Sequence, residues 1–119
     1  MRLILTILTA SLALAGCTET SKRIRFEGEF YRSNASAPRS DRHNFVVTSG
    51  PLSRGIEGAR QAALYEGTRH CMTYYGTSKI DWAVHPTQDP VQALTIDGDR
   101  IVVQGRCVEW PEPGGPATR

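Results

Sequence analysis

The sequence predicts a single α+β domain: an antiparallel sheet in the order β-β-α-β-β-β, with one helix packed across a face. Three observations carry that reading. Between Gly55 and Gly76, the residues Ile56, Ala59, Ala63, Gly67, Cys71 and Tyr74 recur at spacings of three and four, the stripe of an amphipathic helix, widened by Leu64 and Tyr75. Short runs that alternate apolar and polar residues flank it on both sides. Asp97-Gly98 separates the last two of these runs and signals a tight hairpin.

Taken in order, Ile24, Phe26, Gly28 and Phe30 alternate with Arg25, Glu27, Glu29 and Tyr31, which predicts a half-buried first strand over 24–31. Ser33 to Arg42 is polar and contains a proline, so it is expected as a loop. His43 to Ser49 carries Phe45, Val46 and Val47 and predicts a second strand antiparallel to the first, stopped by Gly50-Pro51. Ser53 is the candidate N-cap of the helix, Glu57 sits where the helix dipole favours an acid, and Gly76 supplies the C-cap. Gly58 and Gly67 weaken such a helix by about 1 kcal/mol each relative to alanine, so it must be made against a surface. Ile80 to Val84 predicts a third strand, followed by a proline-containing loop over 85–90. The last two strands are expected over 91–96 and 100–109. From Trp110 the chain is rich in proline and glycine, and 110–119 is expected as a mobile tail.

The first seventeen residues speak to the compartment. Arg2 precedes an apolar run from Leu3 to Ala15 that is shorter than the ~20 residues a spanning helix needs and ends in small residues. That is the pattern of a targeting segment. Leu14-Ala15-Gly16-Cys17 resembles the lipobox of bacterial lipoproteins, in which the cysteine is acylated and becomes the first residue of the mature chain. The resemblance covers the first seventeen residues and implies a signal peptide over 1–16 and lipidation at Cys17; the 103 residues that remain are enough for one small domain, expected over 23–109 after a short polar tether over 17–22. In that family Thr18, in place of an aspartate, implies the outer membrane, with the protein on its periplasmic side. Two plainer readings stay open beside it, a secretory signal with a chance cysteine and an uncleaved anchor.

Charge narrows the partners. The 119 residues hold 14 Lys+Arg and 12 Asp+Glu; Arg2 leaves with the leader, so 13 bases face 12 acids. Near-neutrality argues against nucleic acid, which selects a basic face. The arginines are scattered along the chain and read as solvated, while Lys22, Arg23 and Arg25 lie close enough to the anchor to meet anionic headgroups.

In the last strand Ile101, Val103, Gly105 and Cys107 share one face, and Val102, Gln104, Arg106 and Val108 the other. With Cys17 acylated, Cys71 and Cys107 are the remaining thiols, both on inward faces and in an oxidising compartment. A helix-to-strand disulfide is therefore expected. Catalytic cysteine chemistry is not, because His70 lies about 100° around the helix from Cys71 and there is no Cys-x-x-Cys.

His43, His70 and His85 have no metal-knuckle or helical pair spacing, and Asp97-Gly98-Asp99 lacks the rest of a calcium loop. No metal, cofactor or catalytic residue is assigned, and His70 is expected at the helix surface or a sheet edge. Tyr65, Tyr74, Tyr75, Trp82 and Trp110 are candidate interface rings, although Tyr74 and Trp82 are expected in the core and Tyr65 on the helix surface. The expected function is a non-catalytic structural or interaction module of the cell envelope, anchored to the bilayer through Cys17 and meeting an envelope protein or peptidoglycan. The alternative is a small periplasmic ligand- or metal-binding domain using His43, His85 and the loop around Asp41.

Overall fold

A computed structural model describes residues 24–109. The expected signal peptide over 1–16, the expected tether over 17–22, Arg23 and the expected tail over 110–119 lie outside the described residues. The elements are β1 (Arg32–Ser36), β2 (Asn44–Gly50), α1 (Ile56–Tyr75), β3 (Ile80–Trp82), β4 (Thr95–Asp97) and β5 (Arg100–Cys107). All pairings are antiparallel, and the sheet runs β1-β2-β5-β3 with β4 also on β5. This is the expected β-β-α-β-β-β fold with the helix across one face.

Register places one small or apolar residue of each central strand under the helix in turn: Phe45 opposite Gly105, Val47 opposite Val103, Ser49 opposite Ile101. Ala59, Ala63 and Cys71 of α1 close over them, and all of these residues are buried. The predicted face of β5 is correct, and Cys71 is joined to Cys107 with a Cα–Cα separation of 5.4 Å. The helix glycines are explained by space. A Cβ on Gly67 would strike the indole of Trp82 and come within 3.1 Å of Phe45 Cε2, and one on Gly105 would lie 2.7 Å from Phe45 Cζ. These two glycines, on facing elements, make room for the edge-to-face pair of Phe45 and Trp82, whose centroids are 5.5 Å apart. Gly58 does the same for the Tyr31 ring.

The first strand lies later than its alternation suggests. Glu27 (φ 51°) and Gly28 (φ 76°) both take positive φ, and Phe26 and Glu29 exchange backbone hydrogen bonds of 2.9 and 3.0 Å. The segment is thus a two-residue turn that folds back on itself. β1 instead occupies Arg-Ser-Asn-Ala-Ser, expected as loop. It has no large apolar residue. Ser33 donates to Ser49 Oγ at 2.8 Å, and Ser49, fully buried, donates to the Ala59 carbonyl at 2.8 Å.

Other boundaries moved for local reasons. Ser53 does not cap α1: a 3-10 turn over Leu52–Arg54 takes up the residues before Gly55, and the Ser53 amide donates to Asp99 Oδ1 at 3.2 Å. Glu57 is in the first turn and the Gly76 amide reaches Met72 O, both as expected. β3 stops at Trp82, short of Val84, because β3 and β4 share one edge of β5 and β4 takes that edge at Val102. Val91–Ala93 is a 3-10 turn rather than strand, and it delivers Leu94 into the core. β5 ends at Cys107, although the Val108 amide still donates to Lys79 O at 2.9 Å. Gly98, alone of the two central hairpin residues, has positive φ (61°), the pattern of a II′ turn.

Candidate interaction surface

The residues expected to matter fall into separate neighbourhoods. His43 stacks on Tyr75 with centroids 4.0 Å apart and meets Glu109 Oε1 through Nε2 at 2.8 Å. Asp41 accepts from Asn44 Nδ2 at 2.7 Å, and that hydrogen bond holds its carboxyl below the usual range. Burial, with help from Glu109 and Asp41, raises the Tyr75 phenol. His85 is used locally. Its Nδ1 accepts the amides of Thr87 and Gln88 at 3.1 and 3.0 Å, while its own amide donates to Asp89 Oδ2 at 2.6 Å. That is turn chemistry, and His43 and His85 have no partner in common. Among the described residues no three His, Cys, Asp or Glu side chains converge to hold a metal.

His70 departs from expectation. It is 8% exposed, donates from Nε2 to Arg42 O at 2.8 Å and lies between the rings of Phe45 and Tyr74, each 4.9 Å away. Tyr74, expected in the core, is 47% exposed beneath the Arg42 guanidinium. Tyr75, the next residue, packs against the core instead. Tyr65 is on the helix surface and Trp82 packs against the core, as read.

Arg60 is the residue the sequence reading missed. Taken as one of the solvated arginines, it is buried at 6% exposure, with its guanidinium bonded to Pro86 O, Asp89 O and Glu57 Oε1. The Glu57-x-x-Arg60 spacing was the available signal.

What remains open to a partner is a groove of about 410 Å³ between the turn over 26–29, β1 and α1. Phe26 and Tyr65 form its apolar end, with ring centroids 5.8 Å apart, and Gln61 Nε2 fixes Glu27 there at 2.6 Å. Ser33 and the Glu66–Arg69 ion pair (3.4 Å) line its middle, and past that pair it continues into a shallower recess at His70 and Tyr74. β1 is the edge strand on this side, so its outer backbone is offered along the groove. Among the described residues no buried side-chain polar atom lacks a partner, and no helix is long and apolar enough to cross a membrane. The groove therefore offers rings, one ion pair and strand edge, a surface suited to an extended polymer. No family model, curated protein or solved structure matches the chain.

Proposed function

We propose that this chain is a lipid-anchored lipoprotein of the bacterial outer membrane, facing the periplasm through a non-catalytic structural or interaction module. The observation that carries the reading is the Cys71–Cys107 disulfide, buried at 0% and 1% exposure in the core. A core disulfide belongs to an oxidising compartment. A leader that ends in Leu14-Ala15-Gly16-Cys17 is a means of delivery to one. The acyl chains on Cys17 hold the domain to the leaflet, each buried methylene contributing about 0.8 kcal/mol. The groove beside β1 then meets an envelope protein or peptidoglycan, through ring stacking at Phe26 and Tyr65 and through strand addition along the edge.

Intact mass of the protein taken from membranes tests the anchor. The expected mass is that of Cys17–Arg119 plus acyl chains, with Cys17→Ala left unprocessed. A free Cys17 thiol, or a mature end elsewhere, removes the reading. A photo-crosslinker at Tyr65 tests the groove, and it is expected to capture one envelope protein or a muropeptide that the same probe at exposed Gln92 does not.

A further inference from the structure

The arginines that look scattered in the sequence are gathered by the fold. Arg32 opens β1, Arg54 closes the 3-10 turn before α1 and Arg100 opens β5, and all three line one recess of about 300 Å³ with Pro51 and Asp99. Arg32 and Arg54 also line a second recess of about 190 Å³, whose wall includes Ile24 and Phe30. Arg25 sits over the Phe30 ring at 4.7 Å. Neither Arg32 nor Arg100 has an ion pair among the described residues, and Arg54 donates one guanidinium N–H to Phe30 O at 2.7 Å. The acid in the larger recess, Asp99, accepts the Ser53 amide through Oδ1. Three cations line this recess against one carboxylate, with Asp97 opposite Arg100 in the β4–β5 register, so that the recess itself carries a positive excess.

That end is also where the chain enters the domain, since Ile24 lines the recess beside Arg32 and Arg54. Six residues lie between Cys17 and Ile24, seven Cα steps that reach at most about 25 Å. Lys22 and Arg23 fall within that stretch. Among the described residues Arg25, Arg32, Arg54 and Arg100 thus gather at the end where the chain enters the domain, within the roughly four to eight basic residues at which a cluster binds anionic lipid.

We infer that the Arg32–Arg54–Arg100 recess docks on the phosphate headgroups of the anchoring leaflet, so that the membrane sets the orientation of the domain. This rests on the lipoprotein reading and names the partner of its basic end. Arginine suits the role because its planar fork binds a phosphate through two parallel N–H···O bonds.

The test is flotation of the whole mature chain, Cys17–Arg119 with Cys17→Ser so that it carries no acyl group, on phosphatidylcholine vesicles with and without phosphatidylglycerol. Binding is expected only with phosphatidylglycerol and to weaken with salt. Arg32→Gln/Arg100→Gln is expected to weaken it roughly thirtyfold. Arg54 is kept because its bond to Phe30 O holds the adjoining turn. The control Arg39→Gln/Arg106→Gln, from the loop after β1 and the opposite end of β5, is expected to change binding less than twofold. Thiol blocking confirms that each variant has formed its disulfide. Equal losses for both pairs, or binding indifferent to phosphatidylglycerol, overturn the inference. So does a protein that binds inorganic phosphate but not the vesicles, which would make the recess a site for free phosphate. Because no acyl chain is present, vesicle binding is read independently of the Cys17 mass measurement, whose failure would remove the lipoprotein reading and its anchoring leaflet without altering the binding of the recess to anionic vesicles.

Discussion

Arg60 donates from Nε to the carbonyl oxygen of Pro86 at 2.6 Å, out of a side chain that is almost wholly buried. With its second bond to Asp89 O, it ties the N-terminal part of the helix to the 85–89 turn, which no strand pairing holds. Glu57 supplies the countercharge at 3.0 Å. Arg60→Met keeps the aliphatic stem and leaves two carbonyls without their donor, so it is expected to lower stability by about 1–3 kcal/mol in urea denaturation. Arg60→Lys is expected to recover less than half of that, since one ammonium cannot replace a planar fork. A Met variant within about 0.5 kcal/mol of the parent would show that the bonds are offset by desolvation.

Gly67→Ala sets two effects against each other. Alanine favours the helix by about 1 kcal/mol. The new methyl, however, would meet the rigid Trp82 indole and crowd Phe45, and overpacking of that kind costs about 1–3 kcal/mol. The steric term is expected to win, lowering the thermal midpoint. Trp82→Leu should make the same alanine neutral or stabilising, and a destabilisation unchanged by Trp82→Leu would place the cause elsewhere.

The pairing of these glycines with aromatic rings shows what the sequence made legible. The helix, its inward stripe apart from Tyr74, the buried face of β5 and the disulfide follow from periodicity, because apolar spacing is local information. β1 was not legible. Arg32–Ser36 has no apolar alternation, and the evidence for a strand is its register with β2 and the Ser33–Ser49–Ala59 hydrogen bonds, all contacts distant in sequence. The apparent alternation over 24–31 misled because Gly28 looked like a strand position while its backbone makes a turn. Arg60 and the cluster of Arg32, Arg54 and Arg100 were hidden for the same reason as β1. Nothing in a run of solvated-looking arginines says which one the fold will enclose or which three it will collect.

The disulfide links residues 36 apart. In the chain-entropy description, closing a loop of that length stabilises the native state by about 4 kcal/mol. Cys71→Ala/Cys107→Ala is therefore expected to lose a large share of the stability of so small a domain, measured as the change in urea midpoint. Thiol blocking of the parent, followed by intact mass, is expected to show Cys71 and Cys107 unreactive until reductant is added. Immediate labelling of both would contradict the pairing and the oxidising compartment together.

Tyr31 supplies a test in alkali. Its hydroxyl lies 2.9 Å from the carbonyl oxygens of both Arg54 and Gly55, closing the groove end against the start of α1. Burial, then the charges of Glu29 and Glu27, raises the phenol above 10.0. A group that holds its proton more tightly when folded contributes stability that is fully present below the unfolded value and is lost as pH rises through the folded one. Stability should therefore fall as pH rises from about 10, where the unfolded phenol ionises, through the higher folded value. Tyr75 is raised in the same direction and adds to that fall. Tyr31→Phe removes the hydroxyl, so it should lower stability by about 1 kcal/mol at neutral pH and also flatten the alkaline decline. The difference between parent and variant isolates Tyr31 from the lysines and from Tyr75. Parallel pH curves for the two would mean that Tyr31 ionises as freely in the folded protein as in the unfolded chain.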